Sequence, residues 1–294
     1  MWRILFLLVV LCTPAWGQDY IVPGRRSGCT IPSFSADVLF WVSFENCVSS
    51  PCTGTYTMDI YNASTNPDGV DYTPNAITTM VRTANAEVSS TAALAGARGI
   101  DITPTAGTAP AFEYQGNTNP PTFDTTSGRV GFLFRYVTTV GATAPWILRF
   151  SSSGSCSGTT CLDFYFNSDG NDATFAYSTT TVSNTLSTTG DAFAPGNTYF
   201  VELVYDASQT DGLDTMSIKI NGTTNASTVV AVLATPPSAN LSWNRVGDLV
   251  TGDSGAFYID ALVNSSDETE DLYAGVCGST TACTGGQKGS YCTP

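Results

Sequence analysis

The chain has 294 residues, of which 42% are hydrophobic and 12% are charged, with 11 Lys and Arg against 25 Asp and Glu and no histidine. A formal net charge of −14 argues against nucleic acids and anionic membranes as partners, since both are negatively charged. The lack of histidine excludes Ser-His-Asp and Cys-His catalytic arrangements and His-ligated metal sites.

The N-terminus has the pattern of a secretory signal peptide. Arg3 supplies a positive charge, residues 4–11 form an apolar run too short to span a bilayer as a helix, and Ala15 and Gly17 are the small residues before a cleavage site. We therefore predict that residues 1–17 are removed and that the protein is secreted, extracellular or at the cell surface, without a membrane span. A retained leader would instead offer an extra strand to a neighbouring subunit.

Eight cysteines remain after the predicted cleavage, and an even number behind a signal peptide indicates disulfide bonds. Close spacing predicts that Cys47 pairs with Cys52, and Cys156 with Cys161. Cys29 is expected to pair with one of three C-terminal cysteines and the other two with each other, although spacing does not say which. Those three are Cys277, Cys283 and Cys292.

Short β-type runs separated by turn residues make up most of the remaining chain. A polar N-terminal arm covers residues 18–36, and a first strand is predicted over 38–44. After a loop-rich region, further strands are predicted over 99–102, 111–114, 129–137, 146–151, 162–167, 173–178, 198–206, 215–220, 229–233, 245–246 and 256–263.

Local patterns refine this picture. Val130, Phe132, Phe134 and Tyr136 are predicted to face one side of a strand, and Arg129, Gly131, Leu133 and Arg135 the other. Residues 168–171 and 221–222 suit hairpin turns, and only residues 267–274 look helical. Many short strands with almost no helix predict an all-β protein, an antiparallel two-sheet jelly-roll sandwich.

Four stretches resemble the laminin-G-like, concanavalin-A-like jelly-roll (lectin-glucanase) superfamily, especially its bacterial members. They are AALAGARGI at 92–100, RVGFLFRY at 129–136, FAPGNTYFVELVYD at 193–206 followed by MSIKING at 216–222, and GAFYIDALV at 255–263 followed by EDLYAG at 270–275. The resemblance implies a disulfide-stapled sandwich over residues 37–276 with a short helix near its end, followed by a Cys-rich tail over 277–294. These are structural motifs, which say more about fold than about function.

Aromatic side chains are the candidates for carbohydrate binding. A sugar ring presents C–H patches that stack on aromatic faces beside polar groups. The alternative for each such residue in a sandwich strand is a place in the core. The candidates are Trp146, Tyr165, Tyr177 and Trp243.

If the protein binds an ion, calcium is the one that the sequence favours, because loop carboxylates and carbonyls supply the oxygens it requires. The resemblance places Asp260 where relatives often hold an acidic metal ligand. Asp169 and Asp172 flank a predicted hairpin, while Asp248 and Asp253 lie in one loop. No string matches a known calcium loop, and ordinary turn aspartates are the alternative interpretation.

Five N-x-S/T triplets predict N-glycosylation if the protein passes through a eukaryotic secretory route. All five are expected in loops or at strand ends. In a chain rich in Ser and Thr such triplets also arise by chance. Their asparagines are Asn62, Asn221, Asn225, Asn240 and Asn264.

Three functions follow from these observations. The resemblance favours a non-catalytic lectin-like protein for glycan binding or adhesion at a cell surface or matrix. The architecture also fits a self-assembling subunit of an extracellular filament or coat, in which the N-terminal arm adds a strand to another copy. A glycoside hydrolase is the third, disfavoured because we find no strand of alternating acidic residues, and Glu113 and Glu202 stand alone in theirs.

Overall fold

Fifteen β-strands account for most of the described part of the chain. The structure, a computed structural model, describes residues 38–42, 80–82, 86–94, 99–103, 111–114, 127–137, 146–151, 161–166, 171–178, 183–206, 213–230, 243–247, 256–267, 269 and 271–273. The strands are β1 (Val38–Val42), β2 (Met80–Arg82), β3 (Ala86–Ser89), β4 (Gly99–Ile102), β5 (Ala111–Tyr114), β6 (Ser127–Tyr136), β7 (Trp146–Ser151), β8 (Cys161–Phe166), β9 (Ala173–Ser178), β10 (Ser183–Ser187), β11 (Tyr199–Asp206), β12 (Asp214–Ile220), β13 (Thr223–Val230), β14 (Trp243–Gly247) and β15 (Phe257–Ser265).

The strands form two antiparallel sheets. The eight-stranded sheet has the order β13-β12-β11-β6-β15-β4-β3, with β1 also paired to β15, and the seven-stranded sheet has the order β10-β9-β8-β7-β14-β5-β2. Only Leu272 and Tyr273 are helical among the described residues. The prediction of an all-β, antiparallel two-sheet sandwich is confirmed.

The core lies between the inner faces of the two sheets and is rich in aromatic rings. Phe132 and Phe134 of β6 are fully buried, as the alternation of that segment predicts. Their rings meet Phe164 and Phe166 of β8 in the other sheet, at centroid distances of 5.6 and 5.3 Å. Because each buried Phe contributes about 1.5–3 kcal/mol through the hydrophobic effect, these contacts hold the two sheets together.

A bulge in β15 lets two strands share one of its edges. β6 pairs along one edge, while the other pairs with β4 up to Ile259 and with β1 from Leu262. The register shifts after Asp260, and Ala261 has a positive φ of 48°. The Asp260 carboxylate accepts the backbone N–H groups of Leu94 (3.0 Å) and Ala261 (2.7 Å), which fixes the bulge.

A two-residue hairpin turn links β12 to β13, as predicted. Asn221 and Gly222 have φ angles of 52° and 76°, the left-handed values of a type I′ turn. A Cβ on residue 222 would lie 2.9 Å from Cδ1 of Tyr273, whose ring packs on Phe200 at 5.8 Å. The helical residues near the C-terminus therefore rest against this hairpin.

Several strand predictions need correction. β2, β3 and β10 were not predicted, because β2 and β3 are only three and four residues long and β10 is mostly polar. A strand was expected over 229–233, but β13 begins at Thr223, since the type I′ turn returns the chain directly into a strand of mostly polar residues.

Some sequence predictions fall on other parts of the chain. Residues 1–37, the Cys-rich tail over 277–294 and every cysteine except Cys161 lie outside the described residues. Cys161 is disulfide-bonded, while the individual pairings stay predictions. The described residues contain no helix long and apolar enough to cross a membrane.

Candidate functional site

The outward side of the seven-stranded sheet is polar. In β8, Leu162, Phe164 and Phe166 point into the core, so Asp163 and Tyr165 point outward. Outward positions on β9 and β10 carry small or hydroxyl side chains. We call this side the outer face of the seven-stranded sheet; its described residues are Arg149, Cys161, Asp163, Tyr165, Thr174, Ala176, Ser178, Ser183, Thr185 and Ser187.

An ion pair lies at the centre of this face. Arg149 and Asp163 are register partners on β7 and β8, and the guanidinium donates from Nε to Oδ1 at 2.7 Å and from an Nη to Oδ2 at 3.1 Å. The side chains are only 15% and 5% exposed. Burial raises the pKa of the Asp163 carboxyl above its ordinary value, although Arg149 opposes that rise. The two-point geometry holds both groups in one plane.

Strand register continues the row of charged residues beyond this pair. Arg245 on β14 is the register partner of Arg149, and Glu113 on β5 is the partner of Arg245. Four adjacent strands thus carry charged residues at successive register positions. The side chains of Arg245 and Glu113 themselves lie outside the described residues.

Aromatic positions flank the charged row on both sides. Tyr165 is half-buried, and its register partner on β7 is Trp146. In the row on the other side of the ion pair, Trp243 on β14 is the partner of Ser151. Three of the four predicted sugar-binding aromatics therefore occupy register rows next to Arg149 and Asp163. The side chains of the two tryptophans lie outside the described residues.

Tyr177 does not belong to this face, and its assignment as a binding candidate is wrong. It is 1% exposed and points to the core side of β9, as Phe175 does. Its ring packs on Tyr205 of the eight-stranded sheet at a centroid distance of 5.7 Å. Tyr177 and Phe175 are two residues apart and therefore lie on the same face of the strand. This spacing was a signal in the sequence that pointed to the core.

Hydroxyl groups extend the face to the edge strand β10. Thr174 and Ser187 share a hydrogen bond of 2.9 Å, and Ser178 and Ser183 share one of 3.0 Å. The side chains of β10 on this side are exposed. The edge strand therefore presents hydroxyls to water, whereas Thr174 on the strand next to it is buried.

The structure gives the described calcium candidates other partners. Both carboxylate oxygens of Asp260 accept backbone N–H groups, and Asp172 accepts the Thr188 hydroxyl at 2.8 Å. No group of three potential ligands is present within the described residues. The other candidates, Asp169, Asp248 and Asp253, lie outside them, and calcium stays a prediction.

A second buried ion pair lies on the opposite side of the molecule. Glu202 accepts from Arg129 at 3.1 Å, and the side chains are 1% and 4% exposed. Burial raises the pKa of the Glu202 carboxyl, and the Arg129 charge opposes this rise. Glu202 belongs to the eight-stranded sheet and points away from the core, so it cannot act with Asp163 as the two-carboxylate pair of a glycosidase.

Three of the five predicted glycosylation sites are described. Asn221 lies in the hairpin turn, as expected. Asn225 lies within β13 rather than in a loop, and Asn264, although near the end of β15, is fully buried and donates from Nδ2 to the Arg129 carbonyl. Asn62 and Asn240 lie outside the described residues.

Comparison with known proteins supports the fold. No protein-family model matches this sequence, and no curated protein matches it. Among solved structures, it is similar to the botulinum neurotoxin serotype D binding domain (TM-score 0.54, 10% identity, 83% of this chain and 51% of that one). It is also similar to the botulinum neurotoxin DC binding domain in complex with rat synaptotagmin II (TM-score 0.55, 12% identity, 83% and 51%).

An endo-β-1,4-glucuronan lyase from the fungus Trichoderma reesei matches less well, with TM-score 0.45 and 14% identity over 63% of this chain and 90% of that one. The present chain spans about half the length of the toxin domains. At such low identity the likeness concerns the β-sandwich alone. The jelly-roll fold implied by the sequence resemblance is supported, whereas a laminin-G-like family assignment stays a prediction.

Proposed function

We propose that this protein is a non-catalytic extracellular lectin that binds glycans on the outer face of the seven-stranded sheet. One observation carries the proposal: strand register places Trp146, Tyr165 and Trp243 in the rows beside the Arg149–Asp163 pair. Aromatic faces next to fixed polar groups are the combination that recognises a sugar ring.

The charges favour an uncharged glycan. Asp163 binds the Arg149 guanidinium at two points, so the centre of the face has no large net charge. The net charge of the whole chain, −14, repels sulfated or uronate-rich polymers at long range. Hydroxyls along β9 and β10 add neutral donors and acceptors at the rim.

A glycan array probed with the secreted, purified protein tests the proposal, with calcium and with EDTA in parallel arms. Trp146→Ala and Trp243→Ala should each weaken binding of the best glycan by about thirtyfold, since aromatic hot spots contribute about 2 kcal/mol or more. Thr215→Ala, at an exposed position of the other sheet, is the matched control. Absence of any glycan ligand would refute the function, and unaltered binding by both tryptophan variants would refute the location.

A self-assembling subunit is the second candidate, and the placement of β1 favours it. This strand follows the N-terminal arm directly and, among the described strands, pairs with β15 alone. A strand attached along one edge is suited to exchange between copies. Electron microscopy of the secreted protein, with and without residues 18–36, tests this: filaments that require the arm support assembly, and single particles in both samples exclude it.

A further inference from the structure

The three described N-x-S/T sites differ in how the folded protein uses their side-chain amides. Oligosaccharide transfer bonds the Asn Nδ2 to the anomeric carbon of a sugar carried on a lipid diphosphate; the lipid diphosphate leaves and the amide loses one proton. The glycan must then find space in the folded domain. The position of each Nδ2 therefore decides which site can carry a glycan in the native protein.

Asn264 is incompatible with a glycan. It is fully buried in β15, and its amide must donate through Nδ2 because its partner, the backbone carbonyl of Arg129, can only accept (3.1 Å). A glycan on this nitrogen would have to lie inside the protein. A chain modified here could not form the β6–β15 pairing around Asn264.

Asn225 is blocked by a two-point contact. Thr189 donates its backbone N–H to Oδ1 (2.9 Å), and Nδ2 donates to the Thr189 carbonyl (3.3 Å). When one side-chain amide bonds both the backbone N–H and the carbonyl of a single residue, it donates through the Nδ2 hydrogen that lies on the same side of the C–N bond as Oδ1. A trans secondary amide puts the anomeric carbon at that position, so a glycan would displace Thr189 and break the link between β13 and the segment after β10.

Asn221 is compatible with a glycan. Phe200 donates its backbone N–H to the side chain at 2.9 Å, so the accepting atom must be Oδ1. The structure gives Nδ2 no hydrogen bond within the described residues. The residue lies at a hairpin tip, and the next two residues, Gly222 and Thr223, are exposed.

We infer that Asn221 is an N-glycosylation site of the folded protein, and that Asn225 and Asn264 are not modified in the native secreted molecule. The inference concerns the hairpin tip of the eight-stranded sheet and is independent of glycan binding on the other sheet. A glycan at Asn221 projects from the end of the β12–β13 hairpin and leaves the Arg149–Asp163 face uncovered.

Site-resolved mass spectrometry tests this inference. The full chain is secreted from a eukaryotic cell, and glycans are released with an amidase in ¹⁸O water so that each modified Asn is marked. Thr223→Ala removes the Asn221 triplet while leaving the turn residues intact, and should abolish the mark at Asn221. Ser266→Ala, which removes the Asn264 triplet, is the matched control and should leave the pattern unchanged.

Two results would overturn the inference. One is an unmarked Asn221 in folded, secreted wild-type protein. The other is a mark at Asn225 or Asn264 in protein whose circular dichroism and thermal unfolding match those of the wild type. Asn221→Gln provides an independent second variant and should also abolish the mark at position 221.

Discussion

The contact between the β12–β13 hairpin and the C-terminal helical residues can be tested with two glycines. Gly222 and Gly190 have similar positive φ angles, 76° and 71°, so alanine at either position costs about 1–2 kcal/mol for the left-handed conformation. Their surroundings differ. A Cβ at 222 would lie 2.9 Å from the Tyr273 ring, whereas a Cβ at 190 would have nothing within 4 Å.

Overpacking adds about 1–3 kcal/mol where neighbours must move. We therefore expect Gly190→Ala to lower the free energy of unfolding by about 1–2 kcal/mol, and Gly222→Ala by about 2–5 kcal/mol. Urea denaturation followed by tryptophan fluorescence measures both free energies of unfolding. The dependence of the free energy on urea concentration should be the same for the wild type and each variant. In a double-mutant cycle, Tyr273→Ala should remove most of the extra cost of Gly222→Ala. Equal destabilisation by the two glycine variants would refute the described position of Tyr273.

Three further predictions follow from the buried groups. Arg129→Met should lower the free energy of unfolding by about 3–5 kcal/mol because it leaves Glu202 buried without its cation, and Arg129→Met/Glu202→Leu should recover most of that loss in urea titrations. Tyr177→Ala should cost about 3–5 kcal/mol as a core truncation, whereas Tyr165→Ala should cost much less and weaken glycan binding; similar stability losses would contradict the assignment of faces. Because folding raises the pKa of the Asp163 carboxyl, protonation of this group stabilises the folded state. This stabilisation is full below the ordinary pKa of 3.8 and is lost as pH rises through the raised pKa. The stability of wild type relative to Asp163→Asn should therefore increase as pH falls through that window, and a decrease would contradict the direction of the shift.

The sequence predicted those strands that carry their own hydrophobic signal. Residues 99–102, 111–114, 146–151 and 173–178 match β4, β5, β7 and β9, because apolar runs there end at turn formers. β10 has one apolar residue, Leu186, in five, and is a strand because it pairs with β9. Such edge strands depend on tertiary pairing that local sequence does not contain.

The candidate site could be predicted only where the residues themselves carried a signal. Tyr165 and the two tryptophans were chosen by residue type, and their role in binding stays a prediction. Tyr177 was misassigned because residue type alone does not tell which face of a strand a side chain occupies. Arg149 and Asp163 were missed, although charged residues inside apolar strands were a visible signal. Their pairing depends on the β7–β8 register, which local sequence does not determine.

The pairing of β1 with β15 has a consequence for how the protein is made. About 220 residues separate Val42 from Leu262, its register partner. During synthesis the first strand emerges long before its partner exists, so its backbone must remain solvated or chaperoned until almost the whole sandwich has been translated. Such a non-local contact forms slowly and late. Closure of the eight-stranded sheet thus depends on both the first and the last described strand, and errors in either should affect the same step of folding.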